Sequence, residues 1–340
     1  MSGLKRFAVP LQIGVLGTAA IARELIRGVK GSHKVVVSSI ASRNAGRAAD
    51  FAREHGVARS HGSYEALLAD SEVDIVYNPL PNSLHAEWSI RAAKAGKHVL
   101  CEKPLATSFA EAKSMFEAAQ VNGVHLVEAY PYLSQPQSIE LRRLLHEGVI
   151  GRVRLVRASF GFTMSDASDI RLDATLGGGS LLDAGSYPVS LVRVLSGSRP
   201  IRVHAVADWS APGVDRSMVA TLEHSSGLLA QISCSFGTAV HRHALIAGEA
   251  GVIETSYSNH TSADQPAVLQ IKRGTSWEAR YETVSLLETN GFLAEVESFA
   301  DMITIGSDSW TGIRSNESID VARTLEAIAA SARSRSAVEL

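Results

Sequence analysis

Cysteine is nearly absent. The 340 residues hold two, Cys101 and Cys234, each inside an apolar run. Two such positions make no disulfide framework, and they point to a reducing cytoplasm. Neither sign of charge dominates: Lys plus Arg total 33 against 35 for Asp plus Glu, a net charge of −2. That balance removes the electrostatic case for nucleic acid or an anionic membrane surface as partner. No apolar stretch reaches the roughly 20 residues a bilayer-spanning helix needs. Internal repeats and low-complexity segments are also missing. The opening "MSGLKRFAVPLQIGVLGTAAIA" has a basic start, an apolar middle and small residues, superficially like an export signal. Pro10 and Gln12 interrupt the apolar middle, and the run continues into the amphipathic "RELIRGVK", so no cleaved leader is expected.

What is present is a change of rhythm. At this length the chain can form two domains, each with its own core. In the first part, apolar runs such as "LQIGVLG", "KVVVSSIAS", "VDIVYNPLP", "KHVLCEKP" and "VHLVEAY" alternate with helical stretches such as "AGRAADFAREHG" and "SLHAEWSIRAAKAG". Such alternation predicts βαβ units and a parallel sheet buried on both faces. After Tyr130 the strands come as hairpins, among them "SMVATLEHSSGLLAQISCSF" with its Ser-Ser-Gly turn. There Leu228, Ala230, Ile232, Cys234 and Phe236 alternate with Leu229, Gln231, Ser233 and Ser235, which predicts one covered face and one open face. The open face is a candidate dimer surface. Two late helices follow, "GFLAEVESFADMITIG" and "NESIDVARTLEAIAASAR". The expected boundaries are 1–130 and 131–340, leaving the C-terminal helix free to pack back on the first domain.

Five short stretches carry chemistry. Gly17, Thr18, Ala19, Ala20, Ile21 and Ala22 stand between a strand and a helix, in the place of the dinucleotide fingerprint G-x-G-x-x-G/A. Backbone N–H groups at the helix start would face a pyrophosphate, although Ala19 replaces the middle glycine and a plain structural turn is the alternative. At the end of the next strand, where NAD-binding proteins place Asp or Glu, stand Ser42 and Arg43, with Arg47 one turn on. Guanidinium groups suit a 2′-phosphate, so NADP is expected over NAD, with NAD still possible. The loop "YNPLPNSLH" sets Leu80, Asn82 and His85 at another strand's carboxyl end, where ligands of open α/β sheets lie; Asn82 as a simple helix cap is the alternative. In "VLCEKPLA", Glu102 and Lys103 occupy the same edge, beside the expected nicotinamide. Finally, in "GGGSLLDAGSYPVSLVRVL" Asp183 and Tyr187 share one helical face. Gly185 between them leaves room for a flat group, and Pro188 should kink the helix.

Taken together, these stretches resemble the Gfo/Idh/MocA family of oxidoreductases over nearly the whole chain, with "EKP" followed by "DAGSYP" as the most specific combination. The resemblance implies an N-terminal Rossmann domain and a C-terminal α/β domain with a large, open, mostly antiparallel sheet. It also implies hydride transfer between NAD(P) and a secondary alcohol or carbonyl, commonly of a sugar or polyol, in a homodimer or homotetramer assembled through the open sheet. Lys103 matches the family's catalytic lysine, and Asp183 the aspartate of its D-x-G-x-H motif. Tyr187 stands where that motif has histidine. This is similar to the branch with dihydrodiol dehydrogenase, sugar dehydrogenases and 1,5-anhydrofructose reductase, in which the tyrosine is the proposed acid/base. Arg171 matches an arginine near cofactor or substrate. One segment departs: where that branch reads like "EAFMYRFHPQ", this chain has "EAYPYLSQPQ", with Leu133, Ser134 and Gln135 replacing Arg-Phe-His.

The expected chemistry is proton donation by Tyr187 to a developing alkoxide, with the Lys103 ammonium favouring the tyrosinate and stabilising the alkoxide. Asp183 would orient the substrate hydroxyl or Lys103, and Glu102 would fix the lysine or contact the nicotinamide ribose side. A different class, a catalytically silent dinucleotide-binding sensor, could dispense with both Lys103 and Tyr187. A metal site at His241 and His243 would lack a third ligand, so the two are read as sheet-face residues and no metal is expected.

Overall fold

In chain order the elements of the computed structural model are β1 (Leu11–Leu16), α1 (Ala20–Gly28), β2 (Val35–Ala41), α2 (Ala45–His55), β3 (Arg59–His61), α3 (Tyr64–Leu68), β4 (Ile75–Asn78), α4 (His85–Lys94), β5 (His98–Glu102), α5 (Phe109–Val121) and β6 (Leu126–Ala129). There follow α6 (Pro136–His146), β7 (Val153–Thr163), α7 (Ser186–Ser196), β8 (Arg202–Trp209), β9 (Asp215–Glu223), β10 (Leu229–Ser235), β11 (Gly237–Gly248) and β12 (Gly251–Thr255). The chain closes with β13 (Val268–Arg273), β14 (Tyr281–Ser285), α8 (Gly291–Thr304), α9 (Ser315–Ser334) and β15 (Val338–Glu339). The structure describes residues 9–166, 168–211, 213–259, 261–262 and 266–340; the basic start of the leader-like stretch lies outside them. The chain divides into two compact units. One runs to Leu105 and adds 113–134 and 290–315; the other comprises 106–112, 135–289 and 316–340.

The first unit is built on six parallel strands in the order β3-β2-β1-β4-β5-β6. This is the Rossmann order, with its reversal between β1 and β4. Ile13, Val15 and Leu16 of β1 and Ile75 and Tyr77 of β4 have no solvent exposure, as expected of strands covered on both faces. Gly14 has a packing role: a Cβ there would lie 2.8 Å from Leu67 of α3. Sheet core and helix α8 are continuous, because Phe292, Val296 and Phe299 pack with Ile13, Leu25, Ile40 and Tyr77. Asn290 starts that helix by accepting the Phe292 N–H at 3.0 Å.

The second unit carries a nine-stranded sheet, β14-β13-β12-β11-β7-β10-β9-β8-β15, antiparallel except for the β7–β10 pair. The predicted hairpin is β9–β10, closed by Gly227 with φ +80. Leu228, Ala230, Ile232, Cys234 and Phe236 are all buried. The opposite face stays open, exposing Leu155, Val206, Val219 and Leu229. Among the helices of this unit, α7 and α9 are joined by Arg193, whose guanidinium meets Asp320 at 2.8 Å and Glu317 at 3.6 Å. Ser331 of α9 accepts the Ala205 N–H at 3.0 Å, fixing that helix to β8. The turn expected as a Pro188 kink is instead a π turn, Leu181–Gly185, just before α7. Pro188 offers no N–H to the Ala184 carbonyl, and the irregularity sits at that carbonyl.

One group in the first unit is out of place by ordinary rules. Glu295 on α8 has no solvent exposure, and neither side-chain oxygen has a hydrogen-bond partner. Burial holds its carboxyl well above the usual value of 4.5, and the Glu102 and Glu128 carboxylates add to this. The Tyr130 backbone amide pulls the other way without completing a hydrogen bond. The folded protein therefore keeps a proton that the unfolded chain releases. The associated stability is complete below the unfolded value and is lost as pH rises through the folded one. Thermal unfolding from about pH 5 to about pH 9 should show a falling midpoint for wild type and a flatter profile for Glu295→Gln, which keeps the shape without the proton. Parallel profiles would show that Glu295 does not hold the proton.

Candidate active site

The carboxyl ends of β1, β2, β4 and β5 gather the first set of residues. Gly17 follows β1 with φ +84, and its N–H donates to the Ala41 carbonyl at 2.8 Å. A side chain there would be strained and would lie 3.1 Å from Leu80. After Thr18, Ala19 stands at the N-cap of α1 with extended φ −65 and ψ 153, and no side chain caps the helix. The N–H groups of Ala20 and Ile21 thus begin a helix with no side-chain acceptor over them. Ala22, fully buried, lets the helix lie close to the strand. This cradle fits a dinucleotide pyrophosphate. The replacement of the middle glycine by Ala19 leaves the turn intact.

Beside it lies a cationic corner. Ser42 is buried, its N–H on the His61 carbonyl at 3.1 Å. Arg43 and Arg47 are exposed, and Asn44 caps α2 by accepting the Arg47 N–H at 3.0 Å. The Tyr64 hydroxyl joins them. Burial raises its pKa, while a hydrogen bond from Arg43 and the charges of Arg43 and Arg47 lower it. That hydroxyl stands 3.8 Å from where a Gly17 Cβ would be, so the corner adjoins the cradle. Sequence pattern did not single out Tyr64: it lies on a five-residue helix whose one local signal is the Ser63 cap.

The third strand end is held by polar bonds. Tyr77 is fully buried and donates its hydroxyl to Glu102 at 2.6 Å. Asn78, also buried, donates to the His85 carbonyl at 3.1 Å and to Ser89 at 3.0 Å. His85 is 1% exposed, with Nδ1 2.8 Å from the Pro104 carbonyl and Nε2 2.8 Å from that of Leu80. It therefore braces the two loops that carry Leu80 and Lys103. Asn82 is half-buried and opens a short 3-10 turn; no side chain caps either this turn or α4, contrary to the capping alternative. Glu128 accepts the Leu105 N–H at 2.8 Å, fixing the chain just past Lys103. Lys103 itself is half-buried at the end of β5.

The second unit holds Asp183, Tyr187 and Arg171 together. Arg171 Nε lies 3.6 Å from Asp183 and its Nη1 3.8 Å from Asp169. Its carbonyl accepts the Gly179 N–H at 2.9 Å, and a Cβ on Gly178 would come within 2.5 Å of it. The glycine run is thus needed for this close crossing. Asp215 starts the helical segment, accepting Ser180 Oγ at 2.6 Å and the Leu181 N–H at 2.7 Å. Gly185 makes no opening for a flat group: a Cβ there would lie 2.9 Å from the Cys234 sulfur, so it serves tight helix–sheet packing. Tyr187 is 5% exposed and sits edge-on to Phe160. Asn259 donates to its hydroxyl at 3.1 Å, and the Arg242 guanidinium lies 4.0 Å from its ring centre. Neither Asn259 nor Arg242 was marked by the sequence. His241 and His243 face the open side of the sheet, the latter 3.2 Å from Glu254. Among the described residues no group of three His, Cys, Asp or Glu side chains is placed to hold a metal ion.

Known proteins resemble this chain along its length. Residues 11–130 match the model of the GFO/IDH/MocA oxidoreductase family with an NAD-binding Rossmann fold, and residues 138–254 match the model of the GFO/IDH/MocA C-terminal domain. D-xylose 1-dehydrogenase (NADP(+)) 2 of Haloferax volcanii is 38% identical over 97% of this chain and 100% of its own. Trans-1,2-dihydrobenzene-1,2-diol dehydrogenase of Danio rerio is 38% identical over 65% of this chain and 66% of its own. The 3-ketoreductase of Actinomadura kijaniata, solved with NADP and TDP-benzene, superposes with a TM-score of 0.84 at 32% identity, covering 95% of this chain and 98% of that one. It has also been solved with one tyrosine changed to phenylalanine and with one lysine changed to alanine. With both halves matched and a relative aligned from end to end, the chain belongs to the GFO/IDH/MocA oxidoreductase family.

Proposed function

We propose that this protein is an NADP-dependent oxidoreductase acting on a CH–OH group of a sugar, with D-xylose the first candidate because a D-xylose dehydrogenase aligns over 97% of this chain and all of its own. The observation that carries the cofactor choice is the corner of Arg43, Arg47 and Tyr64 beside the Gly17 turn. Two guanidinium groups and a hydroxyl suit a phosphate on the ribose, where a carboxylate would repel it. Gly17, Thr18, Ala19, Ala20 and Ile21 take the pyrophosphate, Ser42 the ribose side and Leu80 the face opposite Gly17. Residues 1–130 bind the dinucleotide and 131–340 the substrate.

When bound, the nicotinamide supplies or accepts the hydride. In oxidation Tyr187 removes the hydroxyl proton, and in reduction it returns one to the oxygen. Lys103 stabilises negative charge on that oxygen, a preorganised electrostatic role of the kind that removes several kcal/mol from a barrier. Asp183, held by Arg171, orients the substrate hydroxyl. Glu102 is fixed by Tyr77 and in turn fixes the strand end from which Lys103 projects. Two buried, unpaired thiols suit a reducing cytoplasm. The open sheet face, with Leu155, Val206, Val219 and Leu229 exposed, supports a homodimer or homotetramer formed through it.

Three measurements test these assignments. Absorbance of NADPH, followed with D-xylose and a panel of other aldoses and polyols, should report turnover in wild type. In Tyr187→Phe that turnover should fall about a hundredfold with NADPH affinity kept; near-full activity would move proton transfer to another group. Arg43→Ala should weaken NADPH about tenfold or more and spare NADH; equal weakening of both would remove the 2′-phosphate assignment. Leu229→Arg on the open face should lower the solution mass by light scattering, and an unchanged mass would put the subunit contact elsewhere.

A further inference from the structure

Arg242 and Asn259 surround Tyr187 in an arrangement that fixes which way its hydroxyl can bond. Nη1 and Nη2 of Arg242 each lie 3.4 Å from Asn259 Oδ1. A guanidinium only donates, so the amide oxygen must face it, and the amide nitrogen must face Tyr187. Asn259 Nδ2 is 3.1 Å from the Tyr187 hydroxyl. The phenol therefore accepts from Asn259, so its own O–H is directed away from that amide. The loop is held in turn by Gln135, whose Nε2 donates to the Asn259 carbonyl at 2.5 Å and the Ser258 carbonyl at 3.3 Å. Gln135 has no solvent exposure. It belongs to the Leu-Ser-Gln segment in which this chain departs from the pattern of its branch.

We propose that Asn259 and Arg242 are positioning residues for Tyr187: the amide holds the phenol as a donor toward substrate, and the guanidinium steadies it once the proton has gone. As the proton leaves, the Asn259 N–H donates to a phenolate, and such charge-assisted bonds are shorter and stronger than neutral ones. The guanidinium, 4.0 Å from the ring centre, adds a cation on its face. The same cation lies 4.9 Å from the Tyr257 and Phe160 ring centres, so packing on three rings holds it in place. Tyr257 donates its own hydroxyl to the Ser159 carbonyl at 2.9 Å, and burial raises its pKa against the opposing pull of Arg242. Asp183, one turn earlier on the same helical segment, is paired with Arg171, and Lys103 is the further cation that the proposed function brings to the reacting oxygen. Of the His-Arg-His stretch, it is thus the central arginine, on β11, that works at the site.

This inference rests on Tyr187 as acid/base, and the experiment separates the two. Asn259→Ala, Asn259→Asp, Arg242→Gln and Arg242→Lys are compared for NADP-dependent oxidation of D-xylose, or whichever sugar of the panel is turned over, across pH. Asn259→Ala and Arg242→Gln should lower kcat about tenfold or more with KM for NADP unchanged, and shift the rising limb of the pH profile upward. Arg242→Lys should recover most of the loss. Asn259→Asp is the diagnostic variant: nearly isosteric, it turns a donor into an acceptor that captures the phenol proton, so it should be slower than Asn259→Ala. A role in shape alone predicts the reverse order, and that order would overturn the proposal. In a Tyr187→Phe background Asn259→Ala should have no further effect. Full activity of Tyr187→Phe would remove the acid/base reading itself. An inactive Tyr187→Phe beside wild-type rates and pH profile in both Asn259 variants would remove only the positioning role.

Discussion

A carboxylate at the end of a buried strand has to be met by a donor, and at the carboxyl edge of the six-stranded sheet the Tyr77 hydroxyl meets Glu102 at 2.6 Å. Much of that edge follows from this bond. Tyr77 lies on β4 and Glu102 on β5, so the contact joins neighbouring strands through side chains just where their backbone ladder ends. The loops beyond are joined by His85, which faces carbonyls from both. Glu128 of β6 takes the Leu105 N–H from the far side. A lysine placed after Glu102 is thereby set on a rigid support, which is what an ammonium needs if it is to stabilise charge without reorganising.

The second unit solves a related problem with different groups. Its helical segment begins at a glycine crossing where Gly178 touches the Arg171 and Asp173 carbonyls, and Asp215 caps the start from β9. Gly185 then brings that segment onto Cys234 of β10. The outcome is a helix whose Asp183 and Tyr187 are held from beneath by sheet packing and from the side by Arg171, Arg242 and Asn259. Precision here comes from close backbone approach, and this is why the run contains glycines at several points. In this setting the proline's missing N–H costs little, because the π turn already breaks the regular ladder.

Most of the architecture was legible because it is written in local periodicity. The strands "LQIGVL" and "HVLCE" and the β9–β10 hairpin stand where the apolar pattern put them. The strand β3 and helix α3 were not legible, being three and five residues long, too short for a period to show. With them went Tyr64. Positions defined by two distant segments were equally silent. Asn259 stands 72 residues from Tyr187, and nothing in "YSNH" announces a bond to a helix so far away. The Gly185 reading failed for a related reason: a glycine that admits a ligand and one that admits a sulfur from a neighbouring strand look the same in one dimension.

The departures from family pattern are best weighed by what they touch. Ala19 in place of the middle glycine leaves the helix start without a side-chain cap and the Gly17 turn formed, so the small methyl is tolerated by the turn. Gln135 is different in kind. Its side chain takes both lone amide donors to carbonyls of the 258–259 loop, and Thr261 donates to its oxygen at 3.4 Å. An imidazole, with one fewer donor on a shorter arm, could not make that set. A change at this position therefore acts through the loop it holds, and through Asn259 it reaches the phenol oxygen.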